Sequence, residues 1–177
     1  MAGVIRGVRM DRTAAANAFR VALAALGALA GLGALGGVAE AAAGPTGPNA
    51  VLGDYWTEDR EAIARIFRED GAYHGRLVWT EDADAKDDEN PDEALRDRAL
   101  RGLVFVRGFR WNGDGRWVDG EVYAPDDGKT YSGRIAMDGP DTLELRGYVG
   151  IPLFGRTATW QRVARSDYPE GLEPPGS

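Results

Sequence analysis

Few side chains in this sequence could carry a reaction. His74 is the one imidazole and cysteine is absent, so a zinc or copper centre of ordinary nitrogen and sulfur ligands has nothing to build on. Past residue 43 the serines are Ser132, Ser166 and Ser177. Ser132 with His74 and an Asp would be a hydrolytic set, yet no nucleophile elbow surrounds Ser132. Asp119, Glu121 and Glu144 could hydrolyse a glycoside only if two of them faced one cavity; ordinary surface charge explains them equally well. A calcium loop counted from Asp82 puts Asp82, Asp84, Asp88, Asn90 and Glu93 at ligand positions. It fails where Lys86 stands for a ligand and Asp87 for the glycine of the turn. Gly31-Leu-Gly33-Ala-Leu-Gly36 matches the dinucleotide pattern by letter, but in an apolar run rather than between a strand and a helix. The expectation is a protein without a metal, without a cofactor and without a reaction.

Aromatic rings and arginines are what the strands do contain. Trp56, Trp79, Trp117 and Trp160 accompany Tyr73, Tyr131 and Tyr148, with Arg76, Arg134, Arg146 and Arg162 among them. Either the rings fill a core and the arginines cover the outside, or the rings line a small cavity in which an Arg or Tyr holds the polar end of a ligand. Alternation puts Tyr73, Leu77 and Trp79 on one face of their strand, and Tyr131, Ile135 and Met137 on one face of theirs. The candidate lining is therefore Tyr73, Leu77, Trp79, Tyr131, Ile135, Arg146 and Tyr148. Arg146 or a tyrosine hydroxyl would meet a ligand carboxylate, which is costly to bury unpaired.

Positioning these residues requires strands. Alternating segments run over 51–57, 62–67, 73–79 and 103–109, then from Trp117, and over 130–137, 142–148 and 157–163. Turn signals separate them: Asp70-Gly71, Asn112-Gly113-Asp114-Gly115, Asp126-Asp127-Gly128-Lys129, Gly139-Pro140-Asp141 and Gly150-Ile151-Pro152. Eight short strands and no long helix predict an all-β, up-and-down antiparallel barrel or a sandwich, with closure favoured because an open meander leaves two edges exposed. The charged stretch from Glu81 to Arg101 interrupts the meander as a solvated connector. Pro91 could start a turn or two of helix there, and Asn90 to Arg101 could dock a protein partner.

The chain begins with Arg6, Arg9, Arg12 and Arg20, an uncharged run over 21–38, and Ala39-Glu40-Ala41-Ala42-Ala43. Basic start, apolar middle and A-x-A site make a cleavable signal peptide over 1–43, with the true start at Met1 or Met10. Residues 44–50 read as a linker, 51–165 as one domain with a sizeable core, and 166–177 as a disordered tail. Formal net charge is −7 and becomes more negative without the leader. Such a domain excludes nucleic acid as a partner, and with the leader removed nothing is left for stable membrane insertion. The expected location is the periplasm or the exterior.

Ordered blocks then carry a resemblance. They are Gly75-Arg76-Leu77-Val78-Trp79, Asn90-Pro91-Asp92, Leu95-Arg96-Asp97-Arg98, Gly102-Leu103, Gly108-Phe109 and Gly120. They continue with Tyr123-Ala124-Pro125, Asp127 to Tyr131, Leu145 to Gly150, and Leu153 to Arg162. From Leu52 to Val163 the chain resembles the bacterial secreted family of unknown function 2147, itself similar to the lipocalin-like calycin barrels. The resemblance implies an eight-stranded barrel around a site for a small, largely apolar molecule, and no reaction. Calycins open with G-x-W and end with an Arg that packs over that Trp. After Gly53, Tyr55 takes the Trp place, or a bulge at Asp54 restores Trp56; the closing Arg is Arg162. The expected function is binding of a small hydrophobic or amphipathic ligand. The alternative is a solid barrel that serves as an envelope interaction protein, with a hydrolase third.

Overall fold

The computed structural model describes residues 47–176, so the leader expected over 1–43 lies outside the described residues. Eight strands follow in chain order: β1 (Gly53–Trp56), β2 (Ala62–Glu69), β3 (Ala72–Thr80), β4 (Val104–Trp111), β5 (Arg116–Ala124), β6 (Lys129–Asp138), β7 (Thr142–Tyr148) and β8 (Arg156–Arg162). Each pairs antiparallel with the next, and β1 pairs with β8, which closes the barrel. Closure satisfies the backbone groups that an edge would leave bare.

An up-and-down order gives the barrel two distinct ends. The β1–β2, β3–β4, β5–β6 and β7–β8 connections share one end, here called the mouth. Residues 47–52, the hairpin turns at Asp70-Gly71, Asn112–Gly115 and Gly139-Pro140, and the exit of β8 share the other, the base. Residues 47–50, expected as linker, instead make a turn that seats on the base: Ala50 N–H donates to Gly47 O (3.2 Å) and Trp117 Nε1 donates to Pro48 O (3.1 Å).

Inward positions hold the core. Tyr55, Tyr73, Phe105, Phe109, Trp117 and Trp160 are all buried, and each contributes on the order of 2–3 kcal/mol of burial. Rings meet edge-on or tilted, Tyr73 with Trp117 at 6.0 Å and Phe105 with Trp160 at 5.8 Å. Phe109 reaches across β5 and lies over Gly120 and Gly133, where any added Cβ would collide with its ring. These glycines leave the space that one large ring fills.

A second, smaller core lies outside the barrel wall. Trp56, Ile63 and Val163 are buried there, with Val78, Trp79, Tyr168 and Leu172 packed against them. This corrects the expected tail. Residues 166–176 return across β1 and β2, where the Tyr168 hydroxyl donates to Asp54 Oδ2 (3.2 Å) and Arg65 Nη2 donates to Glu173 O (2.6 Å). Asp54 is fully buried and is gripped by Arg65 through two bonds of 2.7 and 2.8 Å. Burying such a carboxylate is tolerable because the guanidinium fork meets both oxygens.

The stretch from Glu81 to Arg101 is not a plain solvated connector. A single 3-10 turn, Glu93–Leu95, is the only helical structure in it. Asp87 and Asn90 are buried. The Tyr123 hydroxyl donates to Asp87 Oδ1 (2.6 Å), Asn90 Nδ2 donates to Asp87 Oδ2 (2.7 Å), and Arg98 pairs with the same carboxylate. Arg101 Nε donates to Thr80 Oγ1 (2.9 Å). The excursion is thus fastened to the barrel by a satisfied polar network, with Pro91 to Asp97 left exposed between the anchors.

Candidate functional site

The base is closed by Arg162. Its guanidinium sits over the Tyr55 ring at 4.7 Å, donates from Nη1 to Leu52 O (2.8 Å) and from Nη2 to Ala50 O (2.9 Å) and to the Tyr55 hydroxyl (2.6 Å), and donates from Nε to Pro140 O (3.2 Å). Tyr55 in turn donates to Met137 Sδ at 3.8 Å. Burial pushes the Tyr55 hydroxyl up to about 12 against the pull of Arg162, so it stays neutral. Tyr55 and not Trp56 faces inward: β1 pairs with β2 in unbroken register, with no bulge at Asp54. Gly53 supplies the remaining condition. At φ 134° it adopts a conformation side chains avoid, and a Cβ there would strike Arg162 Nη1.

Toward the mouth small inward residues appear among larger ones. Ala62, Thr80, Ala124, Gly147 and Ala158 stand there beside Leu77, Leu103, Phe105 and Val122, whereas Tyr55, Tyr73, Phe109, Trp117 and Leu143 fill the half near the base. The rim above them is polar. Asp126 is partly buried and its Oδ1 has no hydrogen-bond partner. Burial pushes its carboxyl up to about 6, with Asp127 and Asp59 raising it further and Arg156 opposing. The Tyr131 hydroxyl donates to Asp127 Oδ2 (2.5 Å), and Arg156 Nη2 donates to Glu58 Oε2 (2.7 Å). This end can receive an apolar body against small side chains and meet a hydrogen-bond donor with a carboxyl.

The structure separates the candidate lining residues. Tyr73, Leu77 and Ile135 are in the inner core, and Tyr131 stands at the rim. Trp79 is corrected to the outside. Ile63 pairs with Trp79 but Ala64 with Leu77, so Val78 is an extra residue in β3 and reverses the facing beyond it. Trp79 therefore packs edge-on against Trp56 at 5.5 Å, outside the barrel. Arg146 and Tyr148 are corrected likewise. Leu143 and Leu145 point inward, so alternation turns Arg146 and Tyr148 outward. Arg146 donates to Pro152 O (2.8 Å), to Leu153 O (3.3 Å) and to Thr157 Oγ1 (3.0 Å). It fastens the β7–β8 loop and meets no interior ligand.

The residues that reasoning from sequence passed over are Asp126 and the small mouth set. Asp126 was legible only as part of a turn signal. Nothing in Asp126-Asp127-Gly128 distinguishes the carboxyl that leans under the rim from the one that caps Tyr131. The hydrolytic pair is not assembled. Ser132 lies on β6 beside Glu121 and Tyr148, whereas His74 lies on β3 against Phe67 (ring centroids 5.6 Å), with β4 and β5 between. Among the described residues, no three His, Asp or Glu side chains gather as a metal site.

Comparison with known proteins adds two similarities. Residues 53–162 match the model of a family described as an uncharacterized protein conserved in bacteria, domain of unknown function 2147. Among solved structures, the chain is similar to protein HP1028 from the human pathogen Helicobacter pylori, described as belonging to the lipocalin family. The two share 28% identity over 66% of this chain and 84% of that chain, with a TM-score of 0.59. No curated protein matches the chain.

Proposed function

The chain belongs to the bacterial family of unknown function 2147, and from its lipocalin-like barrel we propose that it binds a small amphipathic molecule at the mouth. One observation carries this reading: small inward residues, Ala62, Ala124, Gly147 and Ala158, gather at the mouth beside Leu77 and Phe105, beneath the unpartnered Oδ1 of Asp126. Leu77, Leu103 and Val122 would border the apolar part of the ligand. Arg146 lies outside the barrel, and Arg156, on the register opposite Gly147, is already paired with Glu58 at 2.7 Å, so among the described residues a fatty carboxylate meets no free Arg at the mouth. A donor such as an amine or a hydroxyl suits Asp126. The protein acts by binding, not by catalysis, and works after export to the periplasm or beyond.

The test is a pair of probes of equal chain length, a fluorescent alkylamine and the corresponding fatty acid, titrated at neutral pH. The amine should bind more tightly, Asp126→Asn should remove that preference, and Ala158→Phe should block both. If neither probe binds at high micromolar concentration, the second reading takes over: a solid barrel acting through its surface. The seating of Phe109 over Gly120 and Gly133 favours that alternative. Export is tested by intact mass of envelope protein, which should begin at Ala42 or Gly44; a mass retaining residues 21–38 refutes it.

A further inference from the structure

The outer wall near the β7–β8 corner carries an unbalanced charge cluster. Arg116, Arg134 and Arg146 line a cleft of about 100 Å³ with Ala136, Glu144 and Thr157. Arg134 and Arg146 stand directly opposite each other on β6 and β7, an arrangement that is destabilising for like charges. Among the described residues, no carboxylate, Glu144 included, comes within ion-pair distance of any of the three arginines. In a chain of formal net charge −7, three guanidiniums are grouped around a single carboxylate, Glu144, that pairs with none of them.

The adjoining loop is apolar and exposed. Val149 is 73% exposed, Ile151 53%, Leu153 76% and Phe154 75%. Arg146 joins the two features, since it lines the cleft and also donates to the carbonyls of Pro152 and Leu153. The loop backbone is held so that its apolar side chains project while three cations lie behind them.

We infer that the β7–β8 corner docks on an anionic phospholipid surface, with Val149, Ile151, Leu153 and Phe154 between the acyl chains and a headgroup phosphate in the Arg116–Arg134–Arg146 cleft. The order of layers argues for lipid. A bilayer presents phosphate outside and hydrocarbon beneath, which matches an apolar tip backed by guanidiniums. A convex tip also suits a fluid interface better than a preformed protein groove. Contact is made by this corner, not by the whole rim, because Glu58, Asp59, Asp126 and Asp127 would be repelled by anionic headgroups. The inference stands without the ligand site, since neither the cleft nor the loop faces the interior.

Flotation of the mature chain with phosphatidylglycerol/phosphatidylethanolamine vesicles tests it, with phosphatidylcholine vesicles as the neutral arm. Binding should be confined to the anionic vesicles and weaken at high salt. The double substitution Leu153→Ser and Phe154→Ser alters only exposed side chains and should weaken binding about tenfold or more. Arg134→Gln should weaken it about fivefold and, by relieving the opposition to Arg146, should leave the barrel at least as stable. Titration with inorganic phosphate separates the sources: millimolar or no affinity fits a headgroup site. Tight phosphate binding without vesicle binding overturns the inference in favour of a free anion. Absence of anionic vesicle binding, equal binding to neutral vesicles, or binding unaffected by both variants overturns it too. So does a dimer that the loop variant converts to a monomer while vesicle binding is absent, because a second copy then covers the loop.

Discussion

Truncating Arg162 is the sharpest test of how this barrel is held together. Arg162→Ala removes charge-assisted bonds to Leu52 O, Ala50 O and the Tyr55 hydroxyl, and leaves the two carbonyls short of a donor at the closed base. Bonds to a charged group contribute about 1.5–3 kcal/mol each, and stacking on Tyr55 about 1 kcal/mol more. These losses are not additive, because one side chain makes them all. The pairing with Asp141, which is 68% exposed, contributes little. The expected cost is about 3–5 kcal/mol, a large share of the ~5–15 kcal/mol that holds a typical domain. Urea unfolding followed by tryptophan fluorescence reads it as a lower midpoint at unchanged slope. Arg165→Ala, which changes an exposed side chain beyond β8, is the control. Arg162→Lys should recover only part of the loss, since an ammonium cannot reach three acceptors as a planar fork does. If Arg162→Ala costs no more than Arg165→Ala, the clamp is decoration and the account of the base is wrong.

Three further outcomes follow from the geometry. Gly120→Ala should destabilise by about 2 kcal/mol or more through collision with the Phe109 ring, and Phe109→Leu in the same chain should recover part of it; additive losses in urea unfolding would contradict the packing. Asp126 has a folded-state pKa raised to about 6 from 3.8, so the native state holds the proton more tightly and stability falls as pH rises from about 4 to 6. Asp126→Asn should therefore match the wild type at pH 4 and exceed it at pH 7.5, and equal midpoints at pH 7.5 would show that the carboxyl is well solvated. Deleting residues 166–177 should lower the thermal midpoint by uncovering Trp56 and Val163, and unchanged melting would mean that the returning segment adds no packing.

Much of the architecture was legible because strands declare themselves by alternation and hairpins by Gly and Asp. The turns at Asp70-Gly71, Asn112–Gly115 and Gly139-Pro140 all fall between strands. The family resemblance rested on blocks that the match over residues 53–162 contains almost entirely. What failed did so for identifiable reasons. Period-two alternation puts Trp79 inside because it has no memory of an extra residue, and Val78 reverses the count. Residue type alone groups Arg146 and Tyr148 with Tyr131, although Leu143 and Leu145 on the same strand already assign the inward positions to odd numbers. Residues 166–176 look disordered from Pro and Gly content, yet Tyr168 and Leu172 supply the two side chains that a small outer core needs. Asp87 reads as one acid among many, and its burial depends on Tyr123, contributed by a strand far along the chain.

The seam between β1 and β8 has a kinetic consequence. Every other strand pair joins neighbours in sequence, but Tyr55 must find Arg162 and Trp56 must find Gln161, which requires closing a loop of nearly the whole domain. Such closure is entropically costly and pays back only once the intervening meander exists. The ladder from β2 to β7 should therefore assemble first, with the seam zipping after the rate-limiting barrier. Contacts formed that late govern how long the barrel stays shut rather than how quickly it forms. Arg162 is then less a folding nucleus than a latch: its loss should leave refolding rates nearly untouched while the unfolding rate climbs, and the closed barrel's lifetime is set at this single junction.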